Sequence, residues 1–128
     1  MPDTILIVED HDAVRRSLRD WLEVAFPLCR VLEASSGEEA LVLIRDNPPH
    51  LVVMDITLPG MNGIEATRQI KSILPAVQVV MLTIHESDAF RADAMEAGAS
   101  AYVPKPAAQT ELVPALAALL ADPGRIDE

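Results

Sequence analysis

Short apolar runs alternate along the chain with longer segments in which apolar residues recur every three or four positions. The runs are ILIV (5–8), CRVL (29–32), LVVM (51–54), VQVVMLTI (77–84) and AYV (101–103). Between them the spacing predicts helices over about 12–25, 36–46, 62–73, 87–97 and 110–121. The first, third and fourth runs are continuously apolar rather than alternating, which suits strands buried on both faces. Five such strands separated by helices imply an α/β fold, with a parallel sheet covered by helices on both sides.

Local signals support these boundaries. Ser36 followed by Glu39 fits a capping box, and Asn62 followed by Glu65 is a variant of it. Gly98 stands where the fourth helix needs a left-handed terminal residue. Pro48 and Pro49 stop the second helix and extend the chain into the third strand. On the first helix Val14, Leu18, Trp21, Leu22 and Ala25 form one stripe, so Trp21 reads as packing. Pro114 is the discordant signal. In a helix beginning at Ala108 it would remove a backbone hydrogen bond and crowd the preceding turn, and Val113 before it is biased away from helix. The expectation is a last helix that starts near Thr110 or later, or that bends at Pro114.

At 128 residues the chain is one domain of common size. The folded unit is expected over 1–121, with 122–128 a polar, turn-forming tail or the start of a linker. The 20 acidic and 10 basic residues give a net charge of −10, which argues against direct binding to nucleic acid or anionic membrane. The single cysteine, Cys29, cannot form an internal disulfide and reads as a reduced core residue. No signal peptide opens the sequence and no apolar run approaches membrane-spanning length, so a cytoplasmic location is expected.

Chemistry enters at the strand ends, because ligands of a parallel α/β sheet bind at the carboxyl edge. That edge carries Glu9 and Asp10 after the first strand, Asp55 after the third, Thr83 in the fourth, and Lys105 with Pro106 after the fifth. If the first and third strands are neighbours, three carboxylates converge. Two like charges about 4 Å apart repel by roughly 4 kcal/mol at an effective dielectric near 20, and a divalent cation would remove that cost. Carboxylates, carbonyls and waters are the hard ligands Mg2+ takes. Taken alone, Glu9 and Asp10 are equally consistent with a solvated strand end. Lys105 shifts the balance: it is one of only two lysines, and it stands between prolines rather than on a charged helix face. An ammonium there can pair with Asp55 and with an anion that Asp55 acquires. Acid cluster, cation, hydroxyl and ammonium together describe phosphoryl transfer to a carboxylate nucleophile.

The segments LIVED, MDITLPGMNGIEA, MLTIHES and YVPKP, in this order and with 22 residues from Thr83 to Lys105, resemble the receiver domain of bacterial two-component response regulators. The resemblance covers nearly the whole chain and implies a doubly wound, flavodoxin-like (βα)5 three-layer sandwich with strand order 2-1-3-4-5. It implies Asp55 as phospho-acceptor. Asp10 and Asp55 would be direct Mg2+ ligands, Glu9 a ligand through water, and the Thr57 backbone carbonyl a further ligand. It implies Thr83 and Lys105 as phosphoryl-binding groups and Tyr102 as the switch aromatic, turning inward as Thr83 moves. It also implies a cis peptide before Pro106. The expected phosphoryl donor is a sensor histidine kinase, with possible homodimerisation on phosphorylation. The chemistry would be limited to self-phosphorylation and autodephosphorylation, so the chain is not expected to be a metabolic enzyme. MDITLPGMNGIEATRQI with LTIHES resembles the NarL/LuxR group, whose receivers usually precede a helix-turn-helix DNA-binding domain. A stand-alone receiver, acting by protein–protein contact or within a phosphorelay, is the alternative.

Ile84, after the threonine, is bulkier than the small residue many receivers place there, and a branched side chain beside the phosphoryl group should hinder water. Pro114 bears on the partner face, which in this family usually comprises the fourth helix, fifth strand and fifth helix. A phosphatase with an aspartyl-phosphate intermediate is disfavoured, because the position two residues after the nucleophile is Thr57 rather than an acid. A dinucleotide site is disfavoured because no G-x-G-x-x-G turn follows the first strand.

Overall fold

The computed structural model describes residues 3–85 and 87–121; the expected tail, 122–128, lies outside the described residues. Five strands and five helices alternate strictly: β1 (Thr4–Val8), α1 (Asp12–Ala25), β2 (Arg30–Ala34), α2 (Gly37–Asp46), β3 (Leu51–Met54), α3 (Gly63–Ile73), β4 (Gln78–Thr83), α4 (Asp88–Ala97), β5 (Ala101–Pro104) and α5 (Ala108–Leu120). The strands form one parallel sheet in the order β2-β1-β3-β4-β5. This is the doubly wound, flavodoxin-like sandwich expected from the sequence.

The two faces of the sheet explain the unbroken apolar runs. In β1, Leu6 and Val8 join Val52, Met54, Ile44 and Ile70 in the core beneath α2, α3 and α4. Ile5 and Ile7, on the opposite face, join Leu18, Leu22, Leu112 and Leu116 beneath α1 and α5. A strand with helices on both sides leaves few positions for polar residues, mostly at its ends. Among the described residues no helix is long and apolar enough to cross a membrane.

Capping follows the sequence closely. Ser36 Oγ accepts the Glu39 N–H, while Glu39 reaches back to the Ser35 N–H. Asn62 Oδ1 accepts the Glu65 N–H, and Gly98 is left-handed at φ 113. The stripe on α1 is narrower than expected. Leu18 and Leu22 are buried and Trp21 packs against them, but Val14 and Ala25 are exposed. Val14 instead borders an open groove with Trp21 and Gln109, between α1 and the start of α5.

The late start expected for the last helix is overturned. A 3-10 turn over Lys105–Ala107 leads directly into α5, which begins at Ala108 and runs through Pro114. Proline inside a helix costs roughly 3 kcal/mol. Leu112 and Leu116, on either side of it, are completely buried against the sheet. Burying two leucines contributes roughly 3–6 kcal/mol, enough to offset that penalty.

Candidate functional site

The parallel arrangement brings the expected residues to one edge. β1 and β3 are neighbours, so Glu9 and Asp55 leave the sheet side by side. Each stays tied to the strand beside it: the Asp55 N–H donates to Val8 O and the Glu9 N–H donates to Ala34 O, both at 3.1 Å. Glu9 is 1% exposed and Asp55 5%. From the turn after β5, Lys105 donates to both, with Nζ 2.9 Å from Glu9 Oε1 and 3.2 Å from Asp55 Oδ2. The remaining oxygens are also engaged. Glu9 Oε2 accepts the His11 N–H, and Asp55 Oδ1 accepts the Thr57 N–H. Thr83, at the end of β4, is wholly buried, and its Oγ1 accepts the His85 N–H at 3.1 Å.

The loop after β3 owes its path to two glycines. Gly60 adopts φ 71, a left-handed conformation that disfavours a side chain. Gly63 starts α3 so close to β3 that a Cβ would lie 1.9 Å from the Asp55 carbonyl oxygen. That approach keeps the loop backbone folded over the nucleophile candidate.

The charges do not balance. Burial pushes the Glu9 carboxyl up, but the Lys105 ammonium and the His11 N–H outweigh it and bring it down to about 2. Asp55 goes the other way: burial and the Glu9 charge hold its carboxyl above its ordinary value, against Lys105 and the Thr57 N–H. Burial alone would lower Lys105, yet the two carboxylates raise it, so it remains an ammonium. One ammonium thus serves two buried carboxylates, with Asp10 adjoining. Asp10 Oδ1 is itself buried and makes no hydrogen bond among the described residues, though the exposed His11 ring lies 3.5 Å away. A shortfall of positive charge and a buried oxygen without a hydrogen bond, in a set of hard oxygen donors, fit a divalent cation such as Mg2+.

Residues 5–117 match the family model described as the response regulator receiver domain. The chain belongs to the response regulator receiver domain family. Response regulator UvrY of Escherichia coli K12 is 41% identical over 112 residues, which is 88% of this chain and 51% of that protein. Response regulator GacA of Pseudomonas aeruginosa is 39% identical over 88% of this chain and 52% of its own length. The receiver therefore spans about half the length of the curated relatives it matches. Among solved structures, a two-component response regulator of the LuxR family from Aurantimonas sp. SI85-9A1 superposes with a TM-score of 0.87 at 43% identity, covering 94% of this chain and 86% of that one. The BeF3-activated DrrB receiver domain superposes at 0.85 with 30% identity, covering 95% of this chain and all of that one.

One expectation needs correction. The Lys105–Pro106 peptide is not cis, for no described peptide bond is. The trans form is favoured by roughly 0.5–1 kcal/mol before proline, and from it Lys105 already reaches both carboxylates. Tyr102 lies inward and buried, its hydroxyl donating to the His85 carbonyl at 2.7 Å, with the Arg91 guanidinium over its ring.

Sequence reasoning passed over His85. Its backbone joins Thr83 to Tyr102, its Nε2 lies 2.7 Å from Thr57 Oγ1, and its ring stacks on Phe90 of α4. The available signal was its position, two residues past Thr83 at the same sheet edge. His11 was missed too: its Nδ1 lies 3.2 Å from Glu9 and 3.5 Å from Asp10.

Proposed function

We propose that this receiver is a phosphorylation-dependent signalling switch that accepts a phosphoryl group on Asp55 from a sensor histidine kinase. The observation that carries the reading is the single ammonium of Lys105 held between buried Glu9 and Asp55. In the transfer, an Asp55 oxygen forms a bond to phosphorus as the donor bond breaks. The released electron pair leaves with the donor's imidazole, which takes up a proton, or with acetate when acetyl phosphate is the donor. Lys105 can then pair with a phosphoryl oxygen, and the Thr83 hydroxyl can donate to another. Asp10, Asp55 and the Thr57 carbonyl would hold Mg2+, with Glu9 acting through water. When bound, Mg2+ neutralises charge on the acids and on the incoming phosphoryl oxygens.

The new group adds roughly −1.5 to −2 charge at a fixed point. In this reading Thr83 carries the change to His85 and Tyr102, which contact it through the backbone and through each other. The output is control of transcription in the cytoplasm through a helix-turn-helix domain, with homodimerisation as an intermediate step. The LuxR-family neighbour supports that assignment. The test is incubation with acetyl phosphate and Mg2+, followed by intact-mass measurement of wild type and Asp55→Asn. A single phosphoryl adduct on the wild type alone is expected. No adduct, or an equal one on the variant, would overturn the reading.

A further inference from the structure

Asp10 and His11 join β1 to α1, and neither is buried, so apolar packing does not fix this loop. Polar contacts hold it: Glu9 Oε2 accepts the His11 N–H, and a side chain from α1 adds a second tie. Arg15, a turn into α1, is 12% exposed and spreads its guanidinium over three acceptors. Nη1 donates to the Glu9 carbonyl at 2.9 Å, Nη2 to Asp12 Oδ1 at 2.8 Å, and Nε to Glu33 Oε1 at 3.1 Å. Glu33, on β2, is steadied from the other side by Arg19, 2.8 Å from its second oxygen. The grip therefore runs from the sheet, through Arg15, to the Glu9 backbone carbonyl before Asp10 and the Asp12 carboxylate after it.

We propose that Arg15 is a positioning residue for the cation site, setting its affinity for Mg2+ by holding the 9–12 loop without touching the ion. The proposal rests on the reading that Asp10 and Asp55 ligate Mg2+. Two consequences of replacing Arg15 have opposite signs. Its positive charge repels a cation, so losing the charge alone would tighten Mg2+ binding. Its planar fork fixes three acceptors at once, and losing the fork would weaken binding by releasing the loop. Lysine keeps the charge but offers one nitrogen, which cannot reproduce the fork.

The test is calorimetric titration of Mg2+ into wild type, Arg15→Lys and Arg15→Met, with a urea midpoint recorded for each. Outer groups that orient metal ligands typically change affinity by about 10- to 100-fold. Arg15→Lys is expected to bind Mg2+ about tenfold more weakly. The Mg2+ concentration giving half-maximal phosphorylation from acetyl phosphate should rise by the same factor, while the rate at saturating Mg2+ approaches the wild-type value. Arg15→Lys, which keeps the repulsion, decides: binding within about twofold of wild type, or a rate loss that saturating Mg2+ does not recover, would overturn the proposal, while Arg15→Met reports the sum of lost fork and lost repulsion. Should Arg15→Lys not fold, Glu33→Gln carries the test, because it loosens only the anchor. A loss of about threefold or more supports the grip and an unchanged affinity overturns it. Wild type that binds no Mg2+ would instead count against the proposed function. Normal wild-type binding with an unaffected Arg15→Lys counts against this inference alone.

Discussion

Replacing Lys105 by methionine keeps the length of the side chain and removes the charge that two buried carboxylates share. The Glu9 and Asp55 oxygens lie 2.9 and 3.2 Å from one nitrogen, so they are at most about 6 Å apart. At an effective dielectric near 20 their repulsion is roughly 3 kcal/mol, and this is left uncompensated in Lys105→Met. Protonating one carboxylate sets the ceiling. From an ordinary aspartate pKa that costs roughly 4 kcal/mol at pH 7 and about 1.4 kcal/mol less for each unit of falling pH. The variant is therefore expected to lose about 3 kcal/mol at pH 7 without Mg2+, and less than about 2 kcal/mol at pH 5. The sign follows from linkage: a carboxylate whose folded pKa is raised destabilises above its unfolded pKa, and acid relieves it. In wild type Glu9 behaves oppositely. Its carboxyl is drawn down to about 2, so its contribution is complete above its unfolded value of 4.5 and is lost only as pH falls toward 2. Urea unfolding of both proteins followed by far-UV circular dichroism, at pH 7 and pH 5, measures the difference. Millimolar Mg2+ should narrow it at pH 7, since a bound cation replaces the missing ammonium. A deficit below about 1 kcal/mol at pH 7, or one unchanged at pH 5, would refute the reasoning.

Three further substitutions separate tight backbone approaches from open positions. Gly63→Ala places a Cβ 1.9 Å from the Asp55 carbonyl oxygen and 2.9 Å from Ile56 Cα, backbone atoms that cannot swing aside. A loss of about 3 kcal/mol or more in urea unfolding is expected, with slower phosphorylation. Gly37→Ala meets mainly the Ala66 methyl at 3.1 Å and should stay within about 1 kcal/mol of wild type. Ile84 is 64% exposed directly after Thr83, so Ile84→Ala should change stability by no more than about 0.5 kcal/mol. Phosphate loss, followed by intact mass, should nevertheless be faster in Ile84→Ala, and equal or slower decay would discard the shielding role.

The parts of the fold that were legible are those in which one physical requirement dominates. ILIV and LVVM read as strands because burial on both faces leaves a single solution, and both bounds came within a residue. The apolar run CRVL stops at Leu32, before Glu33, whereas β2 covers Arg30–Ala34. The Glu33 charge is absorbed by Arg15 and Arg19, so the strand runs on to Ala34. The start of α5 was misjudged because proline's local penalty is visible in sequence, whereas the burial of Leu112 and Leu116 that offsets it depends on the whole sheet. The same division holds at the site. Glu9, Asp55, Thr83 and Lys105 stand at strand ends, where topology alone brings them together. Arg15 and His85 act through contacts that depend on side-chain direction, and a basic residue on a helix reads as solvated until its partners are known.

Asp55 shows why the legible part was the informative part. A solvated aspartate at the end of β3 would need no ammonium delivered from the turn after β5. Nor would it need a glycine at 63, where any side chain collides with its own carbonyl. Each of these features carries a cost in isolation: a desolvated carboxylate, a like charge beside it, and a glycine at a helix start. Costs that cluster around one residue are hard to explain by packing, because an apolar residue at position 55 would remove the charge-related ones. They are explained if a charged, desolvated oxygen has to be held in place for chemistry at that strand end. On that argument, neutralising Asp55 while preserving its shape, as Asp55→Asn does, should leave the fold at least as stable as wild type in Mg2+-free urea unfolding, while abolishing the phosphoryl adduct.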